Sequence, residues 1–544
     1  MMNLKKKCIS VMLSAACLLS MASCGIGKVN KDDSKTDDPT KANISLMTWD
    51  GGIGKEWLDK AAALFEEKYK DSTDFQEGRK GVKINIEKSR NCAGSSLETS
   101  MTYDIYFTES VNYYKLVNDG MLADLTEIMT TPLTEYGDDK TILSKIDPSY
   151  ASFLKTKDDK YYAIPFYDSF YSLVYDIDLW KNKGFYISKD GDFTKNLKNL
   201  SVGRDGVPGT SDDGLPATYE EFAKLMKKLR DDTRKPILYC ANGTDYVANF
   251  LYNYWADYEG LDEMMLNYTF EGTAKDLINV SDDGTVTKLP ETPITFANGY
   301  DLQKQAGKYY ALKFMQDVIC NNPDNYEMIE SHTAAQKLFV NGGVTNSEPN
   351  AMLIEGSWWE NEAASAFATL AENGDERHNY AIMPIPCADS SKLGTKETRI
   401  SLSSSYGLVN KNTQNMKLAL EFMKFLHTDE QLSAFTAETS MLRALNYEVL
   451  PEDEAKLTTY AKSNVEIKEK ANVIYPYSSR KEVINNDLEF ANFAWAWKTS
   501  AGNNQRNPML YFTAKDLTGQ SAEKYFNGIY DYFKTRWNTI SSRG

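Results

Sequence analysis

Strand and helix patterns alternate between residues 44 and 118, and this alternation constrains the fold more than any other feature of the chain. Residues 44–49, 82–87 and 104–108 have the composition and alternation of short strands. Between the first two, apolar residues recur at helical spacing: Trp57, Ala61, Leu64 and Phe65. A further helix is predicted after Ser110, which can cap its first turn. This order of elements predicts an α/β lobe.

The length of the chain predicts more than one such lobe. About 500 residues follow the N-terminal segment, which is more than a single hydrophobic core normally serves. No later stretch approaches the roughly 18 consecutive apolar residues that indicate a membrane-spanning helix. The formal net charge of −16 argues against nucleic acid as a partner. We expect a monomer with at least two lobes.

The N-terminal residues have the pattern of a bacterial lipoprotein signal. A basic start leads into the apolar run 9–20, and Ala22 and Ser23 precede Cys24. This end resembles a lipobox, which implies that Cys24 becomes the lipidated first residue of the mature protein. We therefore predict a signal peptide over 1–23 and an extracytoplasmic location, anchored to the cell membrane by lipid. A plain secretory signal with an unmodified cysteine is the alternative.

The segment after Cys24 is predicted to be a flexible tether, residues 24–43. It is rich in Lys, Asp, Ser, Thr and Gly and has no apolar cluster to bury. The later cysteines are widely separated: Cys92, Cys240, Cys320 and Cys387. Without a C-x-x-C pair they predict neither a zinc site nor a dense disulfide framework. One or two disulfides and four buried thiols remain open alternatives.

Several short motifs, in a fixed order, resemble one protein family. The segments are AIPFY at 163–167 with LVY at 173–175, PATYEEF at 216–222, AMLIEGSW at 351–358, and ALEFMKFL at 419–426 followed by Glu430-Gln431. Together with the strand pattern at 379–386, they are similar to the extracellular solute-binding lipoproteins of carbohydrate ABC importers, of the maltose- and oligosaccharide-binding type. The resemblance extends from residue 44 to about residue 497, with 186–217 and 257–300 as insertions.

This resemblance implies a fold and a function. The family fold is a two-lobed, periplasmic-binding-protein-like clamp of α/β type with discontinuous lobes, here with a helical C-terminal region. Residues 44–163 plus 379–428 are expected to form lobe 1, and residues 164–378 plus 429–544 to form lobe 2. Such a receptor captures an oligosaccharide between the lobes and delivers it to a membrane ABC permease. It is not an enzyme, and no cofactor is expected.

Candidate ligand-binding residues follow the ends of predicted strands or lie at predicted crossings between lobes. Open α/β sheets present ligands at carboxyl ends of strands. Aromatic rings can stack on sugar faces there, while carboxylate and guanidinium groups bond to hydroxyls. The candidates at strand ends and crossings are Trp49, Asp50, Arg90, Glu109, Tyr167, Asp168, Trp358 and Trp359. The resemblance adds a late, cleft-lining group of Arg443, Trp495 and Trp497. Tyr246 and Trp255 lie in an aromatic-rich helical stretch and are expected to belong mainly to the core.

The loop 204–214 offers oxygen donors in a Gly-rich setting. Asp205, Asp212 and Asp213 could bind calcium, which takes several carboxylate and carbonyl oxygens. Turn chemistry alone also accounts for these residues, because aspartate side chains commonly accept hydrogen bonds from nearby backbone amides. Both interpretations stay open from the sequence.

Two other functions remain alternatives. A secreted glycoside hydrolase needs two carboxylates about 5–9 Å apart, and 77 acidic residues allow many such pairs. A surface protein that binds polysaccharide without transport would differ only in lacking a permease. The histidines are His332, His378 and His427, and none lies near a G-x-S-x-G or H-E-x-x-H pattern. A hydrolase triad and a zinc protease are therefore not supported.

Overall fold

The computed structural model of the chain describes residues 37–477 and 508–542, apart from short gaps at 91, 98, 241–243, 346–348 and 403–404. The signal peptide, Cys24, Trp495 and Trp497 lie outside the described residues, and their predicted roles stay predictions. Within the described part, no helix is long and apolar enough to cross a membrane.

Two mixed sheets, each of five strands, organise the described chain. The first sheet contains, from edge to edge, Val82–Ser89, Ala42–Trp49, Ile105–Glu109, Ser405–Val409 and Ile164–Pro165. Its first three strands run parallel, and Ser405–Val409 pairs antiparallel to both of its neighbours. The strands predicted at 44–49, 82–87 and 104–108 are therefore present and are neighbours.

The second sheet has the same size and a different topology. Its strands are, in order, Tyr326–Ile329, Lys235–Cys240, Asn350–Gly356, Tyr171–Asp176 and Tyr380–Ile382. The first three run parallel, and the last two join by antiparallel pairing. In the described part of the chain, four two-stranded pairs lie outside these sheets: Tyr186–Ile187 with Phe193–Thr194, Gly272–Ala274 with Thr292–Ile294, Ile278–Val280 with Val286–Lys288, and Thr398–Ile400 with Asn472–Ile474.

Helices cover the faces of both sheets. In chain order the α-helices are Glu56–Lys68, Tyr113–Asn118, Thr126–Thr130, Pro148–Leu154, Ile177–Lys183, Tyr219–Asp232, Thr244–Thr269, Ala306–Phe314, His332–Thr345, Trp359–Glu362, Ala364–Asn373, Met416–Leu426, Asp429–Thr439, Pro451–Glu454, Thr459–Lys470, Pro508–Phe512 and Ala522–Ser541. A non-helical backbone at Gly260 interrupts Thr244–Thr269. A π-helical turn, Met315–Ile319, continues Ala306–Phe314.

Local sequence signals explain where several helices begin. Thr218 caps Tyr219–Asp232 by accepting a hydrogen bond from the Glu221 amide, as its T-x-x-E pattern predicts. The helix predicted after Ser110 begins instead at Tyr113, and the Asn112 side chain caps it. Leu64 was predicted on the apolar face of helix Glu56–Lys68, and this prediction is wrong because Leu64 is 56% exposed. The buried face of that helix is centred on Leu58, Ala61 and Phe65, and Leu64 falls at its edge.

Each sheet has its own hydrophobic core, and the chain passes between the two sides more than once. The core around the first sheet includes Phe65, Phe107 and Phe422, and the core around the second includes Trp180 and Trp255. Trp255 is fully buried, as expected for a core residue.

The predicted ranges of the two lobes stay a prediction, but pairing and packing depart from them at several points. Ile164–Pro165, predicted in lobe 2, pairs with Ser405–Val409 in the first sheet. Tyr380–Ile382, predicted in lobe 1, pairs with Tyr171–Asp176 in the second sheet. Asp429–Thr439, predicted in lobe 2, buries Leu432 and Phe435 in the core of the first sheet. The chain therefore crosses between the sheets after the strand at 380–382, and residues 429–439 still pack on the first side.

The cysteines of the described chain are all free thiols. Cys92, Cys240 and Cys387 are buried, and Cys320 is partly exposed. The structure therefore has the unpaired thiols of the second alternative, of which three are buried as expected and Cys320 is not.

Candidate functional site

A cleft of about 330 Å³ lies where residues from both sheets meet. Strand ends of the first sheet and the loops after them supply Trp49, Asp50, Arg90 and Glu109, while Trp358 follows a strand of the second sheet. Tyr167, from the segment that connects the sheets, lines the cleft as well. The structure thus brings together six of the predicted ligand-binding residues.

Three aromatic rings form a wall on the side of the second sheet. The Trp358 ring meets Tyr171 edge-to-face at a centroid distance of 4.9 Å and Tyr246 at 5.9 Å. Trp358 is only 9% exposed and still lines the cleft. Packing against its neighbours therefore fixes the position of the ring at the cleft. A Cβ atom at Gly356 would lie 2.1 Å from the Trp358 ring, which explains why glycine ends this strand.

The polar side of the cleft is built around Glu109. The Tyr167 hydroxyl donates a hydrogen bond to the Glu109 carboxylate. Burial raises the pKa of Glu109, and the hydrogen bond from Tyr167 opposes that rise. Asp50 forms an ion pair with Lys88 at 3.3 Å. The cleft therefore offers carboxylate acceptors beside the aromatic wall.

A chain of polar contacts extends from the cleft into the second lobe. Gln336 Nε2 donates to Glu362 Oε2 at 2.7 Å and to Glu355 Oε2 at 3.1 Å. His332 Nε2 lies 3.4 Å from Glu362 Oε1, and this contact raises the pKa of His332. Burial, and then the charge of Glu362, raise the pKa of Glu355 well above the usual range. His332 and Glu362 line the cleft, whereas Glu355 lies behind it.

We predict that the Glu355→Gln variant loses less folding stability than the native protein as the pH rises. A carboxyl group with a raised pKa in the folded state holds a proton that the unfolded chain has already lost, so stability falls as pH rises above the usual glutamate range, about 4.3. The slope for one such group is at most about 1.4 kcal/mol per pH unit. Urea unfolding of the native protein and of Glu355→Gln between pH 5 and 8 measures the free energy of unfolding of each. The difference between the two free energies cancels the contributions of all other titrating groups that they share. A constant difference across this range would contradict the prediction.

At one end of the cleft, the two sides touch. Asn361 Nδ2, from the second side, donates to the carbonyl oxygen of Gly52 at 2.6 Å. Gly52 has a φ of +80°, and a Cβ there would lie 3.2 Å from both Trp358 and Glu362. The Asp50-Gly51-Gly52 turn thus lets the loop after the first strand approach the aromatic wall closely.

Three predicted ligand-binding residues are buried away from the cleft, which corrects their expected position. Trp359 is fully buried and packs on Tyr380 and Tyr460. Trp359 opens the helix after Trp358, and its ring therefore points to the opposite face. Asp168 accepts hydrogen bonds from Ser401 Oγ at 2.9 Å and from Lys468 Nζ at 2.5 Å.

Arg443 is the third of these buried residues. Its Nε donates to the carbonyl of Phe166 at 2.6 Å, and its Nη2 lies 2.8 Å from His427 Nε2. Its guanidinium carbon lies within 5.7 Å of four ring centroids, those of Trp57, Phe107, Phe166 and Phe435. Burial lowers the pKa of Arg443 to about 9. Arg443 therefore holds a crossing segment against the first core.

The cleft also contains residues that the sequence analysis did not select. Tyr171 contacts Trp358, and Glu362 belongs to the chain of polar contacts with Gln336 and His332. His332 lies at the start of a helix. His332 follows the strand Tyr326–Ile329, so the strand-end rule would have found it. Tyr246, expected mainly in the core, lines the cleft.

The aspartates of loop 204–214 are used as hydrogen-bond acceptors within the loop. Asp212 accepts from the Asp205 amide at 3.0 Å and from Thr210 Oγ1 at 2.6 Å. Asp213 accepts from the Gly209 amide at 2.7 Å. Among the described residues, no group of three or more His, Cys, Asp or Glu side chains converges to hold a metal ion. The loop geometry fits the turn interpretation of this segment.

The chain belongs to the bacterial extracellular solute-binding protein family, whose sequence profile matches residues 54–432. The family places the protein outside the cytoplasm and makes it a solute-binding protein, as the motifs predicted. No curated protein matches the chain.

Solved sugar receptors share the fold. The GacH receptor of Streptomyces glaucescens GLA.O, solved without ligand and with acarbose, is 15% identical with a TM-score of 0.51, over 91% of this chain and 99% of that one. RafE in complex with raffinose is 13% identical with a TM-score of 0.53, over 92% of this chain and 100% of that one. Apo RafE from Streptococcus pneumoniae is 12% identical with a TM-score of 0.52, over 93% of this chain and 100% of that one. At these identities the comparison confirms the predicted two-lobed α/β fold.

Proposed function

We propose that the protein captures an oligosaccharide between its two lobes and delivers it to a membrane ABC permease. The observation that carries this proposal is the pairing of an aromatic wall, centred on Trp358, with carboxylates supplied from both sides of one cleft. The named ligands of the structural neighbours, acarbose for GacH and raffinose for RafE, support a sugar as the solute.

The chemistry of the cleft suits a neutral polyhydroxyl ligand. A sugar ring presents C–H groups that pack on aromatic faces, and its hydroxyls donate to carboxylates. Glu109 and Glu362 are placed as acceptors on opposite sides of the cleft, and Arg90 can donate from the first side. The two lobes close on the ligand because a ligand that contacts both of them stabilises the closed arrangement.

Binding without cleavage is the second part of the proposal. A glycoside hydrolase would hold two carboxylates in fixed positions around the scissile bond, one of them as an acid. In the cleft Asp50 is paired with Lys88, Glu109 with Tyr167, and Glu362 with Gln336. The family is one of solute-binding proteins, which supports binding without cleavage. Polysaccharide binding without transport would be recognised by the absence of permease genes beside this one.

Attachment to the membrane is part of the same proposal. A lipid on Cys24 and the tether 24–43 would keep a monomeric receptor near its permease while the lobes open and close. Palmitate labelling tests it, with Cys24→Ala as the matched control. We expect label in the native protein and none in the variant.

Calorimetry against a panel of neutral oligosaccharides that includes raffinose and acarbose tests the function directly. We expect saturable heat with one site per chain for at least one sugar, and chromatography of the same samples should recover that sugar intact. Cleaved sugar would overturn the receptor assignment, and the absence of binding across the panel would overturn the ligand class.

A further inference from the structure

One helix of the second side, His332–Thr345, carries two side chains that contact the same carboxylate of the cleft. His332 and Gln336 are four residues apart and therefore lie on one face of this helix. Gln336 Nε2 donates to Glu362 Oε2 at 2.7 Å, and His332 Nε2 lies 3.4 Å from Glu362 Oε1. Each oxygen of the Glu362 carboxylate thus has its own contact on this helix.

Gln336 is itself held in place from behind. It is 1% exposed and does not line the cleft, so it cannot contact a bound sugar. Its Nε2 also donates to Glu355 Oε2 at 3.1 Å, and Glu355 Oε1 accepts from the Gly356 amide at 3.1 Å. Glu355 lies in Asn350–Gly356, the central strand of the second sheet. Gln336 therefore connects Glu362 to the sheet.

The other carboxylates of the cleft are held differently. Glu109 accepts a hydrogen bond from the hydroxyl of Tyr167, which also lines the cleft. Asp50 pairs with Lys88, whose side chain is 43% exposed. An exposed lysine keeps much of its rotamer freedom and orients its partner weakly. Among the described carboxylates of the cleft, Glu362 is the one held by a buried donor that cannot also bind the ligand.

A carboxylate that is already oriented binds a hydroxyl group more tightly than a mobile one. A free glutamate side chain has several rotamers, and fixing one of them on binding opposes affinity. The contact with Gln336 removes that cost from Glu362 before the ligand arrives. A carboxylate has about four acceptor positions, so Glu362 keeps capacity for a sugar hydroxyl in the cleft that it lines.

We propose that Gln336 is a positioning residue that sets the direction in which Glu362 accepts a hydrogen bond from the sugar. The inference rests on the proposed function and deepens it, because it identifies the side chain that gives this acceptor a fixed geometry. Gln336 acts only through Glu362.

A double-mutant cycle tests the proposal, with calorimetry against the tightest-binding sugar of the panel as the readout. Gln336→Met keeps the length of the side chain and removes both hydrogen bonds, and it should weaken sugar binding about tenfold. Glu362→Ala should weaken it by about tenfold or more. With Glu362→Ala already present, Gln336→Met should cause no further loss, because there is no carboxylate left to position. A purely structural role of Gln336 would instead give the same loss in both backgrounds.

Two further variants complete the experiment. Lys337→Met changes an exposed neighbour on the same helix and should leave sugar affinity unchanged. Gln336→Asn keeps the amide on a shorter side chain that no longer reaches both carboxylates. It should also weaken binding, and it replaces Gln336→Met in the cycle if urea unfolding shows that the methionine variant is not folded.

The outcomes separate this inference from the function on which it rests. Native affinity in the Gln336 variants, or the same fold-loss with and without Glu362, would overturn the positioning role and leave the receptor function intact. A native protein that binds no sugar of the panel would overturn both.

Discussion

Trp358→Ala is expected to weaken oligosaccharide binding by roughly 30-fold, which corresponds to about 2 kcal/mol. Trp358 contributes the largest ring of the aromatic wall, and its contacts with Tyr171 and Tyr246 hold that ring at the cleft. Removing it takes away the stacking surface and opens the wall to water. Calorimetry with the tightest-binding sugar of the panel measures the loss.

The adjacent tryptophan provides a matched control. Trp359 is fully buried among Phe339, Tyr380 and Tyr460 and does not line the cleft. Trp359→Phe should lower the thermal midpoint and leave sugar affinity per folded molecule unchanged. Trp358→Phe should recover part of the affinity that alanine loses. If Trp358→Ala bound sugar as tightly as the native protein, the aromatic wall would not be the sugar platform.

Lys468→Met is expected to destabilise the protein by about 3–5 kcal/mol. Lys468 Nζ donates to Asp168 Oδ2 at 2.5 Å and to the Arg443 carbonyl at 2.6 Å. The side chain of Asp168 is almost completely buried, so the variant leaves a carboxylate without its cation in a water-poor interior. Lys468 lies in the helix Thr459–Lys470, and its two hydrogen bonds join that helix to the two segments that contain Asp168 and Arg443. A lower urea midpoint for unfolding measures the effect.

Lys470→Met, on the same helix, is the control for this prediction. Lys470 pairs with Glu466 at the surface, where the lysine side chain is 57% exposed. Exposed pairs of this kind contribute roughly 0–1 kcal/mol. The double variant Lys468→Met with Asp168→Asn should recover part of the loss, because it removes the unpaired charge. Equal urea midpoints for Lys468→Met and Lys470→Met would show that the buried ion pair does not stabilise the crossing.

Much of the fold and part of the cleft could be predicted because they depend on local patterns. The strand patterns at 44–49 and 82–87 predicted two strands, which the structure pairs, and the T-x-x-E pattern at Thr218 predicted a helix start. Polar and aromatic residues at strand ends, such as Trp49, Glu109 and Trp358, converge on the cleft because the sheets bring strand ends together.

The remaining residues depend on packing between distant parts of the chain. Asp168 and Tyr167 are adjacent in sequence, yet only Tyr167 reaches the cleft, because side chains alternate along the extended crossing segment. Arg443 is buried because an aromatic cluster and His427 receive its guanidinium group, and neither is visible near it in sequence.

A crystal structure of the protein with its tightest-binding oligosaccharide tests the central claim most directly. We expect an intact sugar in the cleft, with one ring against Trp358 and hydroxyl groups bonded to Glu109 and Glu362. A cleaved sugar, or a sugar bound away from this cleft, would contradict the account.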